Sequence, residues 1–243
     1  VYIKVYQEVD STNRAAKAAA ITGEAGHGSF VLAGCQTEGR GRRGRSFYSP
    51  QDAGIYLSVI LEPKGSLQES LLLTAEAAVA VYRAVKKITG DELDIKWVND
   101  LYHNGKKVCG ILTEAVTDFE SGNIEFAVVG IGLNIFEAAD GYPDSLKGIA
   151  GGIYENREAA GELDRSRLAA EIVNALLEET RELRLPQEYI EHNLVPGREI
   201  CISDGDKIRR AKALEICPDG RLKVEEADGS LSVLSYGEVS III

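Results

Sequence analysis

Asp-Gly pairs recur at short intervals near the end of the chain. They stand at positions 204–205, 219–220 and 228–229, between the segments EICIS, KIRRAKALEI, RLKVEEA and LSVLSYGEVSIII. Asp-Gly favours the tight turns that join antiparallel strands, and the intervening segments are rich in residues that prefer strands. Because the chain reverses direction roughly every 10 to 15 residues, each element between the turns is short, and short antiparallel strands are the structure that fits best. Residues 195–243 are therefore predicted to form a separate small β-barrel.

Both helices and longer strands are predicted within residues 1–194. Strands are predicted where apolar residues alternate or form short runs bounded by turn residues: Val1–Tyr6, Ser29–Gln36, Gly54–Leu61, Leu93–Trp97, Lys106–Val116 and Ile124–Asn134. Helices are predicted after the capping residues 10–13, over Leu67–Thr89 and over Arg165–Arg184. The pair Asn104-Gly105 is typical of a tight hairpin turn.

Charge and hydropathy argue against two broad classes of protein. The chain has 38 acidic and 27 basic residues, for a formal charge of −11. This balance argues against a protein that coats nucleic acid, because such binding neutralises phosphates with Lys and Arg. No apolar stretch is long enough to cross a bilayer, and the N-terminus lacks the pattern of a signal peptide. We therefore expect a cytoplasmic protein with no membrane partner.

A segment rich in glycine and arginine, Gln36–Arg45, lies between two predicted strands. Its letters match the GxGxxG dinucleotide fingerprint, but a strand rather than a helix follows it, so the match does not identify a dinucleotide site. Four arginines among three glycines suit a flexible loop that wraps a small polyanion. Judged on this segment alone, a solvated basic loop that touches RNA is as good an interpretation as a loop that binds a small polyanion. The acidic balance of the whole chain argues against RNA.

Two further segments place polar residues beside apolar strands. In Lys96–Leu101 the only Trp of the chain precedes Asn99 and Asp100, and Lys107 begins a later strand. A lysine placed there could neutralise charge that develops on a phosphate or carboxylate. The glycines of Gly130–Asn134 would let a flat ligand approach the backbone closely. Taken singly, the same residues also fit a turn, a hairpin-edge lysine and a β-bulge.

Six motifs, in this order, resemble those of the biotin protein ligase family. They are Ser11-Thr12-Asn13, GRGRRGR at 39–45, GIYLS at 54–58, KWVNDLY at 96–102, KKVCGILTE at 106–114 and GIGLN at 130–134. The match covers nearly the whole chain. The resemblance implies an α+β fold of the class II synthetase and biotin–lipoate ligase kind. Residues 1–194 would form a catalytic domain with a mixed β-sheet flanked by helices, and residues 195–243 an SH3-like C-terminal domain.

The resemblance also implies a two-step reaction that uses ATP, biotin and Mg²⁺. The biotin carboxylate attacks the α-phosphate of ATP, which yields biotinyl-5′-AMP and pyrophosphate. A lysine amine of a biotin carboxyl carrier protein, such as that of acetyl-CoA carboxylase, then displaces AMP. Nothing before Val1 resembles a helix-turn-helix domain, so no DNA partner and no repressor activity are expected. A homodimer would pair through edge strands of the sheet, although the sequence does not specify one.

Individual roles follow from the resemblance. The biotin-binding set is Ser11, Thr12, Asn13, Gln36, Arg40, Gly41, Arg42, Lys107 and Gly110. The set for ATP and the adenylate is Arg40, Arg42, Arg43, Asn99, Asp100, Lys107 and Asn134. Lys107 is expected to stabilise charge in both steps, and Arg42 belongs to the loop expected to close over the adenylate. These two are the expected catalytic residues, and Asp100 is the expected magnesium ligand.

The sequence departs from the family pattern near the expected adenine contacts. Val98 stands where a proline is common, and Phe47 and Tyr48 stand where the family often has a tryptophan. Lipoate protein ligase, which shares the architecture and the adenylation chemistry but usually lacks GRGRRG, is the nearest alternative. A non-catalytic RNA-binding module that uses the arginine loop is the alternative from another class. A relative that binds biotin without activating it is the third.

Overall fold

The computed structural model describes residues 1–63, 70–118, 120, 122–204, 207–235 and 238–242. The helices are α1 (Thr12–Ile21), α2 (Ser70–Thr89), α3 (Arg165–Glu179) and α4 (Gln187–Glu191), with a 3-10 turn at Arg42–Gly44. The strands are β1 (Ile3–Tyr6), β2 (Phe30–Ala33), β3 (Gly54–Leu61), β4 (Asp94–Lys96), β5 (Asp100–His103), β6 (Lys106–Thr117), β7 (Ile124–Asn134), β8 (Glu199–Asp204), β9 (Lys207–Ile216), β10 (Leu222–Glu226), β11 (Leu231–Leu234) and β12 (Glu238–Ile241). Leu67, Gly205 and Gly237, which the sequence predictions include, lie outside the described residues.

The strands form two sheets. The larger has seven strands in the order β1-β2-β3-β7-β6-β5-β4 and is mixed, because β1 pairs with β2 in parallel and the other pairs are antiparallel. The smaller is antiparallel, in the order β11-β10-β9-β8-β12. The predicted α+β fold, with its mixed sheet, its flanking helices and its separate C-terminal β-structure, is confirmed. None of the described helices combines the length and apolarity that crossing a bilayer requires.

The two faces of the large sheet have different coverings. Alternate residues of β7 from Val129 to Leu133 lie in the main core, which α2 and α3 cover. On the opposite face, Phe126 and Val128 belong to a smaller core shared with α1. Farther along β7 that second face continues as Gly130 and Gly132, which have no side chains. The result is a trough with a glycine floor beside the N-terminus of α1.

Strand β5 was not predicted from the sequence. The sequence predicted a strand up to Trp97 and a polar strand exit after it, whereas β4 ends at Lys96 and Asp100–His103 pairs with β6. The hairpin through Asn104 and Gly105 therefore joins β5 to β6, and both turn residues have the positive φ that such a turn requires, 50° and 76°. Four residues carry too little periodicity to reveal a strand, so pairing with β6 decides its conformation.

Glu76 of α2 is a carboxyl group that is fully removed from solvent. Its Oε1 accepts a hydrogen bond of 3.0 Å from the backbone nitrogen of Arg184, and its Oε2 has no hydrogen-bond partner among the described residues. The predicted extension of α3 to Arg184 is therefore wrong, because this backbone group bonds to α2 rather than within a helix. Burial raises the pKa of Glu76 to about 8; the bond from Arg184 opposes this shift and nearby Glu179 adds to it. Glu76 is consequently protonated at neutral pH.

The buried Glu76 predicts a pH-dependent stability. Because its pKa is raised from 4.5 to about 8 on folding, its favourable contribution is complete below the lower value and is lost as pH rises through the higher one. Glu76→Gln should remove this dependence and make the protein more stable than wild type at about pH 9, by roughly 2–5 kcal/mol. Urea unfolding at several pH values measures it. Glu125→Gln, at an exposed position of β7, is the control, and parallel pH profiles for wild type and Glu76→Gln would contradict the assignment.

Candidate active site

Three predicted site residues lie at the start of α1, at one end of the trough. Ser11 is the N-cap of α1, and its hydroxyl accepts a long hydrogen bond of 3.5 Å from the backbone of Arg14. Ser11, Thr12 and Asn13 are all buried, with at most 4% of their surface exposed. Polar side chains buried to this extent need hydrogen-bond partners within the protein.

Gln36 and Ser58 extend these residues into a chain of short contacts. Gln36 Oε1 accepts from Thr12 N at 2.9 Å and lies 3.0 Å from Thr12 Oγ1. Ser58 Oγ lies 2.8 Å from Thr12 Oγ1 and 2.6 Å from Asn13 Oδ1. Ser58 is fully buried on β3. It was not among the predicted site residues, although it ends the GIYLS motif.

The chain of contacts is short of hydrogens. Three contacts join the amide oxygens of Gln36 and Asn13 through two hydroxyl groups, and two hydroxyl groups supply only two hydrogens. Neither amide group turns readily to supply a third: Gln36 Oε1 also accepts from Thr12 N, and Asn13 Nδ2 donates to Glu114 Oε2 at 2.9 Å. Because Thr12 N already donates to Gln36 Oε1, the two hydroxyl hydrogens can go to Ser58 Oγ and Asn13 Oδ1. The chain is therefore rich in acceptors, and its unused lone pairs can accept a hydrogen bond from a bound molecule.

The floor of the trough is backbone. Gly110 of β6 and Gly132 of β7 are directly paired, and the ring of Phe47 lies against both. A Cβ added to Gly132 would lie 2.3 Å from Phe47 Cε1, and one added to Gly110 would lie 3.0 Å from Cε2. At Gly130 an added Cβ would lie 2.1 Å from Asn13 Oδ1. The floor thus admits a flat apolar group, and in this structure that group is the Phe47 ring.

Lys107 and Asp100 form an ion pair beside this floor. Lys107 Nζ lies 2.6 Å from Asp100 Oδ1, and both side chains are about a quarter exposed (28% and 21%). The pairing of Asp100 with Gly110 across β5 and β6 places the carboxylate at the end of the trough. The contact is short but lacks the alignment of a hydrogen bond, so charge is the main attraction. Another anion could therefore compete with Asp100 for the lysine.

The arginine loop forms an arch next to these residues. Gly41 N donates to Arg45 O at 2.7 Å, and Phe47 N donates to Gly39 O at 2.8 Å. Three arginine side chains leave the arch in different directions: Arg40 to Glu114, Arg42 to Asn99 and Arg43 to the carbonyl of Ser203 in the smaller sheet. The loop thus contacts β6, the β4–β5 connection and the C-terminal sheet.

Arg42 is the arginine of this loop that is partly buried, while the other three are exposed. Burial lowers the pKa of its guanidinium group, and the charge of Asp100 opposes that shift. Arg42 Nη1 lies 3.4 Å from Asn99 Oδ1, and Asn99 Nδ2 donates to Ile111 O at 2.9 Å. Arg42, Asn99, Asp100 and Lys107, all predicted from the sequence, are therefore near neighbours at one end of the sheet.

Asn134 lies on the trough side of β7, two residues after Gly132. It is buried, and its Nδ2 donates to Gly151 O at 3.2 Å. Lys107 exchanges backbone hydrogen bonds with the same segment, donating to Ile149 O at 2.8 Å and accepting from Gly151 N at 3.0 Å. The segment 149–151 thus connects two predicted site residues. No motif in the sequence indicates it.

The connection between β4 and β5 is held from outside the large sheet. Trp97 is 3% exposed, and its Nε1 donates to Gly220 O in the smaller sheet's turn at 2.9 Å. Tyr189 of α4 donates to Val98 O at 2.8 Å. These two bonds fix the backbone that precedes Asn99.

The chain resembles known proteins in both sequence and fold. A model of the biotin/lipoate A/B protein ligase family matches residues 5–134, a range that contains every predicted site residue. The chain belongs to this family.

Relatives of this ligase family resemble the chain over nearly its whole length. The bifunctional ligase/repressor BirA of Bacillus spizizenii is 33% identical over 95% of the chain and 72% of the relative. The biotin–[acetyl-CoA-carboxylase] ligase of Mycobacterium tuberculosis is 29% identical over 98% of the chain and 88% of the relative. The structure of the Aquifex aeolicus biotin protein ligase in complex with biotin and ATP superposes with a TM-score of 0.76 at 25% identity, covering 99% and 98% of the two chains.

Removing the indole hydrogen bond tests how this ligase-family site is held. Trp97→Phe leaves the carbonyl of Gly220 without its buried donor, so we expect the free energy of unfolding to fall by about 1–3 kcal/mol. Circular dichroism during denaturant unfolding is the measurement, since the variant lacks the only Trp. A variant as stable as wild type would show that the bond is dispensable.

Proposed function

We propose that this protein is a biotin protein ligase. It adenylates biotin with ATP to biotinyl-5′-AMP, releases pyrophosphate, and transfers biotin to a lysine of a biotin carboxyl carrier protein such as that of acetyl-CoA carboxylase. The observation that carries the proposal is the hydrogen-poor chain of buried oxygens at the end of the glycine-floored trough. Membership of the ligase family, and relatives named as biotin ligases, support the same activity.

The pocket favours biotin over lipoate on chemical grounds. The ureido group of biotin has two N–H donors, whereas the dithiolane ring of lipoate has none. A ureido N–H could donate to an oxygen of the acceptor-rich chain formed by Thr12, Ser58 and Asn13. A net hydrogen bond contributes about 0.5–1.5 kcal/mol, and a ligand without donors loses this contribution. Gln36 and Ser11 complete the polar end of the proposed biotin pocket.

The first step is proposed to depend on Lys107 and Arg42. An oxygen of the biotin carboxylate attacks the α-phosphorus of ATP, the bond to the β-phosphate oxygen breaks, and pyrophosphate leaves. Lys107 would exchange its ion pair with Asp100 for the oxygens of the reacting phosphate, where its charge is most effective in the transition state. Arg42, already beside Asn99, would hold the loop and the phosphates together.

The remaining predicted residues have proposed places around this centre. Gly41 would offer its backbone close to biotin, and Arg40 and Arg43 would extend the positive charge of the arch over the nucleotide. Asn134, tied to segment 149–151, would border the nucleotide. In the second step the carrier's lysine nitrogen attacks the acyl carbon, AMP leaves, and the nitrogen loses a proton. A closed arch would keep water from the anhydride before that attack.

Magnesium fits this site in a limited way. Among the described residues no group of three or more His, Cys, Asp or Glu side chains is arranged to hold a metal ion. Asp100 offers one buried carboxylate oxygen near the proposed phosphate position. Mg²⁺ is commonly held by one or two carboxylates together with substrate phosphates and water. We propose Asp100 as the protein ligand, and the ion would neutralise phosphate charge when ATP is bound.

The larger organisation is proposed in the same terms. Residues 1–194 would be the catalytic domain and residues 195–243 the SH3-like domain, which contacts the site through Ser203 and Gly220. A homodimer formed through an open edge strand of the large sheet stays a prediction, as does a cytoplasmic location.

The function is tested by biotin-dependent exchange between ATP and labelled pyrophosphate, followed by transfer to a carrier domain. We expect exchange with biotin, none with lipoate, and biotinylation of one carrier lysine. Exchange with lipoate alone would move the protein to the lipoate ligases. Absence of exchange with either acid, together with RNA binding that weakens with salt, would support the binding-module alternative instead.

Lys107→Ala tests the proposed catalytic lysine. Because the charge acts mainly in the transition state, we expect the rate of pyrophosphate exchange to fall by about 100- to 1,000-fold while biotin affinity changes far less. Lys106→Ala is the matched control, since this adjacent lysine pairs with Glu137 instead. An exchange rate equal to wild type in Lys107→Ala would remove the residue from the mechanism.

Arg42→Gly tests the loop as a barrier to escape of the intermediate. Loss of its contact with Asn99 should loosen the arch, so biotinyl-5′-AMP would leave and label bystander proteins roughly tenfold more than in wild type. Streptavidin blotting of added albumin measures the labelling. Arg45→Gly, an equal change at an exposed arginine of the same loop, controls for added backbone freedom. If both variants labelled albumin equally, Arg42 would have no special part in retention.

A further inference from the structure

Glu114 joins two parts of the site that the sequence predicted separately. It lies on β6, 101 residues after Asn13, and its side chain is 21% exposed. Its Oε1 accepts from Arg40 Nη1 of the arginine loop at 3.1 Å, and its Oε2 accepts from Asn13 Nδ2 at 2.9 Å. One carboxylate thus contacts both the loop and the polar end of the trough.

Only a carboxylate suits this position. Both partners are donors, and an ionised Glu presents an acceptor to each. A glutamine has one oxygen and one NH₂ group, so it would face either Arg40 or Asn13 with a donor. The charge also strengthens the contact with the arginine compared with that of a neutral acceptor.

The contact to Asn13 affects the ligand pocket directly. Because Asn13 Nδ2 donates to Glu114, and also lies 3.3 Å from Leu112 O, its Oδ1 is left facing Ser58 and the hydrogen-poor chain. If the amide turned over, its NH₂ group would face Ser58 in place of its oxygen, and the pocket would have one acceptor fewer for a ligand hydrogen. Glu114 therefore fixes the polarity of the pocket.

The contact to Arg40 affects the loop. The arch is closed by its own backbone bonds between Gly39 and Phe47, and Arg40 is a side chain that ties this unit down to the sheet. The Arg40 contact, at 3.1 Å, is shorter than the 3.4 Å contact of Arg42 with Asn99. If Arg40 were released, the contact of Arg42 with Asn99, at 3.4 Å, would remain between the arch and the large sheet.

We propose that Glu114 is a positioning residue that tethers the arginine loop to the ligand pocket, so that loop closure and the orientation of Asn13 are set together. The expected effect of this tether on catalysis rests on the proposed function, whereas its expected effect on the motion of the loop does not. Glu114 is proposed to act away from the reacting atoms, on ligand binding through Asn13 and on retention of the adenylate through the loop, rather than on the chemical step.

The first test uses the full chain without ligands. Hydrogen–deuterium exchange of residues 39–47 is compared among wild type, Glu114→Gln, Glu114→Asp and the control Glu125→Gln. We expect about tenfold faster exchange in the loop of Glu114→Gln, partial recovery in Glu114→Asp, which keeps both oxygens, and no change in the control. Unchanged loop exchange in Glu114→Gln would overturn the proposal, whether or not the protein is a ligase.

Arg40→Met removes the other partner of the same ion pair. Because the Arg40 side chain is exposed, we expect this variant to fold normally. It should speed loop exchange at least as much as Glu114→Gln, and the double variant should be no faster than Arg40→Met alone, because each of these variants weakens or removes the same contact between residues 40 and 114. Additive effects of the two substitutions would show that they act separately and would overturn the tether.

The second test measures retention in the active enzyme. With biotin and ATP, Glu114→Gln should release biotinyl-5′-AMP about tenfold faster than wild type, while the first-turnover release of pyrophosphate at saturating biotin stays within about twofold. Equal loss of both rates would overturn a role in retention. If wild type itself formed no adenylate, the proposed function would fail, while the exchange results on the loop would still decide the tether.

Discussion

A shortage of hydrogens at the start of α1 is the constraint on which the site depends. Two hydroxyl groups, of Thr12 and Ser58, lie between two amide oxygens, and their two hydrogens serve three contacts. The smaller apolar core holds α1 against the sheet and keeps these groups in place. Burial in that position keeps most water away from these acceptors. These oxygens offer acceptors to a bound molecule with an N–H group, so the packing of α1 and the proposed choice of ligand have the same physical origin.

Positively charged side chains lie at the other end of the trough from this polar pocket. The chain as a whole is strongly acidic, yet Lys107 and the partly buried Arg42 bring positive charge to one place. Asp100 holds Lys107 there while no phosphate competes for it. The smaller sheet contributes to the same region through the bond from Trp97 to Gly220. Acceptor oxygens at one end, cations at the other and the backbone floor between them thus lie on one face of the large sheet.

The sequence predicts those parts of this arrangement that local pattern encodes. Alternation in Ile124–Asn134 and helical spacing after Ser70 correspond to β7 and α2, and the Asn104-Gly105 turn has the expected backbone. Strand β5 escaped prediction because its conformation depends on pairing with β6. Glu114 and Ser58 escaped prediction as site residues because only the register of the large sheet brings them to Asn13. The pairing register of distant strands cannot be deduced from short sequence motifs.

Calorimetric binding of biotin and of its carbamate isosteres, in which oxygen replaces one or the other ureido N–H, tests the central claim most directly. The hydrogen-poor chain predicts that at least one isostere binds roughly 5- to 150-fold more weakly than biotin, because the isostere loses the N–H hydrogen bond and places an oxygen against the acceptors of the chain. Affinities equal to that of biotin for both isosteres would show that no ligand hydrogen enters the chain, and would contradict this account of the pocket.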